Sequence, residues 1–206
     1  MTILDDGALI AIVRYRRDAD LAPVLDVLQE AGVPIVEITL DTPGALRAIA
    51  AASRSGIRMG AGTVVDADGV RASAEAGARF VVSPALVEEV VVTALELGLE
   101  PIPGVMSPTE LLRARELGAR TVKIFPAAPL GGPAYIRALR GPFPDVPFVP
   151  TGGIEIADIG AYLAAGAAAV GVGASLVGKE PPVTQEALDG LRRRAAAAAA
   201  QAARAP

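Results

Sequence analysis

Cysteine and histidine are both absent from the 206 residues. The first absence excludes a disulfide framework and a thiolate zinc site. The second removes the Ser-His-Asp and Cys-His triads, His-rich metal sites and imidazole acid–base chemistry. Catalysis in this chain therefore falls to Lys, Asp/Glu, Tyr, Ser/Thr or backbone groups. Positive charge is also short. The formal charge is −4 and the pI is near 5.0, which lacks the footprint of a nucleic-acid binder. The densest basic run, Arg192 to Arg194, reads as a solvated face of the last helix. No apolar stretch reaches membrane-spanning length, and Met1–Gly7, with Asp5 and Asp6, lacks the order of a signal peptide. The expectation is a soluble cytoplasmic protein with neither a nucleic-acid nor a membrane partner. Lysine is scarcest of all: of 19 basic residues only Lys123 and Lys179 are lysine. A lysine kept inside an apolar run therefore becomes a candidate functional group.

What the chain has is apolar surface to bury. Hydrophobic residues make up 52% and the mean hydropathy is +0.45, which excludes disorder. The length suffices for one full core. Short β-branched runs fall at Ala8–Val13, Ile35–Leu40, Ile57–Met59, Phe80–Val82, Leu99–Ile102, Thr121–Phe125, Val146–Val149 and Ala168–Val172. Each is too apolar to have one wet face, as in buried parallel strands. Helical stretches lie between them: Leu21–Glu30, Ala45–Ser53, Val70–Ala76, Val87–Leu97, Pro108–Leu117, Ala134–Leu139 and Ile156–Ala164. Gly32, Gly77, Gly98, Gly118 and Gly166 end helices, and Asp66, Thr42-Pro43 and Ser107-Pro108 start them. The repeat is roughly 23 residues per βα unit, and eight such units close a barrel. The fold expected is α/β: a single-domain (β/α)8 TIM barrel over residues 1–206, with residues 183–206 as a C-terminal helix on the outer wall. An open doubly wound sheet is the alternative, but Arg14-Tyr15-Arg16 is not its Gly-rich first turn.

Barrel sites lie where strands end. The sixth run reads Thr121-Val122-Lys123-Ile124-Phe125-Pro126. Alternation sends Val122 and Ile124 one way and Lys123 the other, into the lumen or among the outer helices. In the lumen its amine loses solvation and becomes a nucleophile; among the helices it snorkels out. Glu37 sits inside the β-branched second run. It reads either as a core ion pair with an arginine such as Arg14 or as a proton shuttle beside Lys123. Arg14 ends the first run and is a candidate carboxylate clamp. Gly60-Ala61-Gly62-Thr63 fits close approach of backbone to a ligand, with the Thr63 hydroxyl beside it, or a tight turn plus cap. Thr151-Gly152-Gly153-Ile154 and Gly171-Val172-Gly173-Ala174-Ser175 follow the last two runs. That pair of glycine turns matches the usual barrel phosphate site, with Gly152, Gly153, Gly173 and Ser175 as its candidates.

Together, Glu37-Ile38-Thr39-Leu40, Gly60-Ala61-Gly62-Thr63, Ser83-Pro84, Pro103-Gly104, Lys123-Ile124-Phe125-Pro126-Ala127 and Thr151-Gly152-Gly153-Ile154 resemble a known family in order and spacing. They are similar to the 2-keto-3-deoxy-6-phosphogluconate (KDPG) aldolases, with their 4-hydroxy-2-oxoglutarate and 6-phosphogalactonate relatives. These are class I, Schiff-base aldolases built as trimeric barrels. The resemblance implies Lys123 as the Schiff-base lysine and Glu37 as the acid–base group. It places Thr63 at the pyruvyl carboxylate and makes Pro84 and Phe125 pocket walls, with Arg14 and Thr151 completing the substrate-binding set. Gly152 and Gly153 fall at the phosphate turn. It further implies a homotrimer that takes a keto acid, probes no nucleic acid or membrane, and needs no cofactor and no metal. The reaction implied is cleavage of KDPG to pyruvate and glyceraldehyde 3-phosphate. A 4-hydroxy-2-oxoglutarate or 6-phosphogalactonate aldolase is the alternative, as is a weakly active barrel that binds a phosphorylated ligand or serves as an assembly scaffold. Three positions depart from the pattern. Asp41 stands where phosphogluconate-type members carry a substrate-binding arginine. Ala174 stands where a serine often meets phosphate, with Ser175 next to it. The N-terminal plug helix is reduced to Thr2–Asp6.

Overall fold

A computed structural model describes Leu4, residues 8–53 and residues 55–204. The fold is α/β with parallel strands. Strands β1 (Leu9–Val13), β2 (Ile35–Thr39), β3 (Arg58–Gly62), β4 (Phe80–Val82) and β5 (Glu100–Ile102) are followed by β6 (Gly104–Val105), β7 (Val122–Ile124), β8 (Phe148–Pro150) and β9 (Val170–Val172). The helices among the described residues are α1 (Ala22–Glu30), α2 (Ala45–Ala52), α3 (Ala67–Glu75), α4 (Glu88–Glu96), α5 (Pro108–Glu116), α6 (Gly132–Arg140), α7 (Ile159–Ala164), α8 (Ala174–Val177) and α9 (Gln185–Ala203).

The expected ring of eight strands is drawn as two parallel sheets. Six strands pair in the order β5-β4-β3-β2-β1-β9, and three in the order β6-β7-β8. The run expected at Leu99–Ile102 continues beyond Pro103 as β6. Proline has no N–H to give to a ladder, so the strand breaks there. The Pro103 carbonyl still accepts from the Lys123 N–H at 2.9 Å. On the other side, a parallel bridge joins Thr151 to Gly171, and the Ala168 N–H donates to the Phe148 carbonyl at 2.9 Å.

Strand alternation separates two apolar clusters. Ile10, Ile35, Phe80, Val82, Ile102, Val149 and Ala169 pack together on the concave face. Their chain neighbours Ala11, Val36, Val81 and Phe148 belong to the larger cluster shared with the helices. Both faces of each strand are thus dry, as the unbroken apolar runs require. Leu4 packs against the concave cluster; the rest of the shortened N-terminal segment, Thr2–Asp6, lies outside the described residues.

Helix ends largely follow the sequence. The expected terminator glycines Gly32, Gly77, Gly98, Gly118 and Gly166 all have positive φ. Asp66 accepts from the Gly69 N–H, and Ser107 with Glu110 forms a capping box. Thr42-Pro43 does not start a helix as expected. Gly44, at φ 74°, is the N-cap of α2, while the Thr42 hydroxyl accepts from the Tyr15 N–H at 3.2 Å. The tail expected over 183–206 is helical from Gln185 to Ala203, capped by Thr184. It lies against α1, α7 and α8 through Leu191, Ala195 and Ala198.

Candidate active site

Register decides which way Lys123 faces. It pairs with Val149, a member of the concave cluster, while Val122 and Ile124 pack under the helices. Of the two orientations the sequence left open, Lys123 takes the interior one, at 7% exposure. Glu37 is 3% exposed and lies two residues beyond Ile35 on the same concave face. A β-carbon at Gly62, in the adjacent strand, would collide with Oε1 of Glu37, so the glycine there makes room for the carboxylate. The Lys123 ammonium lies 4.9 Å from the centroid of the Phe125 ring.

Burial pushes the Glu37 carboxyl above the usual carboxylate range; the charges of Lys123 and Arg14 oppose that rise, and Asp41 adds to it. Burial likewise pulls the Lys123 amine below the ordinary lysine value; Glu37 opposes the drop and Arg14 adds to it. Burial thus draws each group toward its neutral form, and each one's charge opposes that drift in the other. An unprotonated Lys123 is a nucleophile.

The rim is polar. Arg14 lies one residue past β1, and among the described residues it forms no ion pair with Glu37, one of the two readings the sequence left open. Its Nε lies 3.5 Å from Oδ1 of Asp41 and 3.4 Å from Oγ1 of Thr39. Its Nη2 donates to Oγ1 of Thr63. Thr63 has φ 56°, a left-handed backbone that a β-branched residue seldom adopts. Thr39 and Thr42, fully buried, share a hydrogen bond at 3.1 Å and approach the Val13 carbonyl. As site residues both threonines went unread: Thr42 was expected only to start a helix, and Thr39 was noted only within a motif. The signal available was the alternation of polar residues Glu37 and Thr39 on one face of β2.

The other expected residues follow the remaining strands: Pro84 after β4, Thr151 to Gly153 after β8, and Gly173 after β9, the neighbour of β1. Pro84 is half-buried, and its carbonyl lies where a side chain on Gly104 would be, in the strand beside Lys123. Thr151 is buried at the bridge to Gly171. Gly152 and Gly153 have φ 97° and 73°. Their turn lies along the end of β7, where the Ala127 and Ala128 N–H groups donate to the Thr151 and Gly152 carbonyls. Gly173 precedes α8, and Ser175 donates to the Ile154 carbonyl at 2.9 Å, tying the two glycine turns together. The Ser175 proton is therefore committed to the protein. Among the described residues there is no cluster of three acidic side chains that could hold a metal ion, and no helix is long and apolar enough to cross a membrane. A cleft of about 500 Å³ between α1 and α2 touches none of these groups.

A family model described as "KDPG and KHG aldolase" matches residues 1–191. The chain is 40% identical over 165 residues to the 2-dehydro-3-deoxy-phosphogluconate aldolase of Pseudomonas aeruginosa, covering 79% of this chain and 75% of that protein. It superposes with TM-score 0.84 at 30% identity on the 2-keto-3-deoxy-6-phosphogluconate aldolase of Zymomonas mobilis solved with 3-phosphoglycerate, covering 96% and 93% of the two chains. A third match, TM-score 0.79 at 30% identity, covers 97% of this chain and 94% of the KDPG aldolase of Legionella pneumophila. That structure holds pyruvate captured at low pH as a covalent carbinolamine.

Proposed function

The chain belongs to the KDPG and KHG aldolase family, and from that premise we propose a class I aldolase that cleaves KDPG to pyruvate and glyceraldehyde 3-phosphate. The observation that carries the reading is the buried Lys123 amine, drawn toward its neutral form beside an equally buried Glu37. The neutral amine attacks the C2 ketone of the substrate and gives a carbinolamine, which loses water to become an iminium. Glu37, directly or through one water, takes the proton of the C4 hydroxyl. The C3–C4 bond breaks, its electron pair passes into the iminium to form an enamine, and the aldehyde leaves. The proton on Glu37 returns to C3, and water hydrolyses the iminium to free pyruvate and the amine. The iminium is the electron sink, so this cycle calls for no metal or cofactor.

The substrate is placed end to end across the site. Arg14 and Thr63 take the keto-acid carboxylate, while Pro84, Phe125 and Thr151 wall the centre. The turns at Gly152, Gly153, Gly173 and Ser175 take the phosphate through backbone N–H groups. The family also includes enzymes for an unphosphorylated substrate, and the two tied glycine turns favour the phosphorylated one. In this reading the two sheets close into one (β/α)8 barrel, single-domain over 1–206, supported by the Lys123–Pro103 hydrogen bond and the Thr151–Gly171 bridge. The assembly proposed is a cytoplasmic homotrimer; its support is the family resemblance and the exposed Val92, Leu95 and Leu112 on α4 and α5.

Borohydride reduction in the presence of pyruvate tests the chemistry. One adduct per chain is expected, located at Lys123 by mass spectrometry, and none in Lys123→Arg, whose guanidinium stays protonated. An adduct at Lys179, or none, overturns the Schiff-base reading. Turnover of phosphorylated and unphosphorylated keto acids side by side tests the substrate.

A further inference from the structure

We infer that Asp41 is an internal competitor for Arg14: a keto-acid carboxylate docks by taking the guanidinium away from Asp41, so Asp41 sets the chain's affinity for anionic substrates. The inference rests on the proposed role of Arg14 as carboxylate clamp. The pair is loosely made. One nitrogen faces one oxygen at 3.5 Å, and the two side chains are 54% and 55% exposed. A carboxylate arriving in the plane of the guanidinium can form two parallel N–H···O bonds, which the present pair does not. Donors for it are in place. Thr63 occupies Nη2 and Thr39 shares Nε, and among the described residues nothing is bonded to Nη1.

Charge points the same way. Arg14 is felt electrostatically at both Lys123 and Glu37, so it overlooks the reacting centre. Asp41 cancels that charge at the mouth while the site is empty. Once a substrate carboxylate is seated on Arg14, Asp41 is a second anion a few ångströms away and repels it. Asp41 has little structural work to do. The hydrogen bonds that shape the turn after β2 belong to its neighbour Thr42, which takes the Tyr15 N–H and meets Thr39.

The test is calorimetric titration of pyruvate and of neutral pyruvamide into the wild-type chain, Asp41→Asn and Asp41→Ala, with borohydride trapping run in parallel. Both variants are expected to bind pyruvate about three- to tenfold more tightly. Pyruvamide, which has no charge for Asp41 to repel, is expected to shift less than twofold. Unchanged or weaker pyruvate binding in the variants overturns the inference, and so does an equal shift for pyruvamide. Trapping at Lys123 without any dependence on Asp41 keeps the aldolase reading and removes the competitor. Dependence on Asp41 without trapping keeps the competitor and removes the Schiff base.

Discussion

At the scale of the residue, the site is a set of opposed charges whose directions can be tested separately. Adduct formation needs the neutral amine, so its rate rises as pH climbs through the Lys123 ionisation. Burial lowers that ionisation, Glu37 lifts it and Arg14 lowers it. Glu37→Gln removes the lift, so the trapping midpoint is expected to move to lower pH. Arg14→Ala removes a depressing charge, and the midpoint moves to higher pH. Measured at saturating pyruvate, shifts of the same sign in both variants refute this arrangement. Thr63 offers a second test. A β-branched residue held at φ 56° stores strain on the order of 1–3 kcal/mol, which glycine does not feel. Thr63→Gly is expected to raise the melting midpoint by about 2–4 °C. It is also expected to weaken pyruvate binding, because Arg14 loses its hydroxyl partner. A variant that gains stability and keeps its affinity would show the strained turn to be idle. Of these groups, Lys123 and Glu37 were legible because a charged residue inside a β-branched run stands out. Which face they share was not, since alternation separates two faces without saying which is inside; only the pairing of Lys123 with Val149 decides it. The Asp41 partnership was legible from charge alone: an anion beside a keto-acid carboxylate is expected to turn outward or to pair with Arg14 or Arg16, and it pairs with Arg14.

At the scale of the element, the expected strand and helix runs were legible to within about three residues at each end, because their apolar runs and terminator glycines are local signals. Less legible were features that depend on contacts between distant segments. Pro103 follows the fifth apolar run, and the strand it interrupts resumes at Gly104. Tyr15 carries no signal in the sequence, yet its hydroxyl donates to the Val177 carbonyl at 3.0 Å, and Arg194 Nε donates to the Leu176 carbonyl at 2.7 Å. These side chains, one from beyond β1 and one from α9, satisfy the last two carbonyls of α8. A four-residue helix has no stability of its own, so its placement depends on such anchors. The proposed phosphate turn opens α8, and Ser175 links it to the turn after β8. Tyr15→Phe leaves the Val177 carbonyl short of a donor in a dry setting, a loss on the order of 1–3 kcal/mol. The expected result is a KM for the phosphorylated substrate raised about tenfold, with the KM for an unphosphorylated keto acid changed less than twofold. An equal rise for both substrates would mean that Tyr15 supports the fold at large and does not place the phosphate turn.

At the scale of the whole molecule, the question is whether two sheets act as one body. The proposed catalytic pair spans them: Glu37 is on the six-stranded sheet and Lys123 on the three-stranded one. The roles proposed for the two therefore require that the seams hold. One seam runs through Pro103, whose carbonyl takes the Lys123 N–H; the other is the Thr151–Gly171 bridge. Both seams are lined by glycines that leave no room for a side chain. A β-carbon on Gly104 would collide with the Pro84 carbonyl, and one on Gly171 with the Thr151 hydroxyl. If the seams close a single barrel, heating should give one transition whose calorimetric and van't Hoff enthalpies agree. Gly104→Ala and Gly171→Ala should each lower the midpoint of that one transition, and amide exchange at Lys123 and at Ala168, whose N–H donates to the Phe148 carbonyl, should be as slow as in β2. The backbone atoms at the Gly104 contact cannot rotate aside as a side chain can, so Gly104→Ala should be the more damaging, and it should depress adduct formation at Lys123 as well as stability. Two separate transitions in the parent chain, with fast exchange confined to the seam residues, would instead mean that the sheets melt independently. The alignment of Glu37 with Lys123 would then have to come from α-layer packing, through Val122 and Ile124 on the convex side of β7.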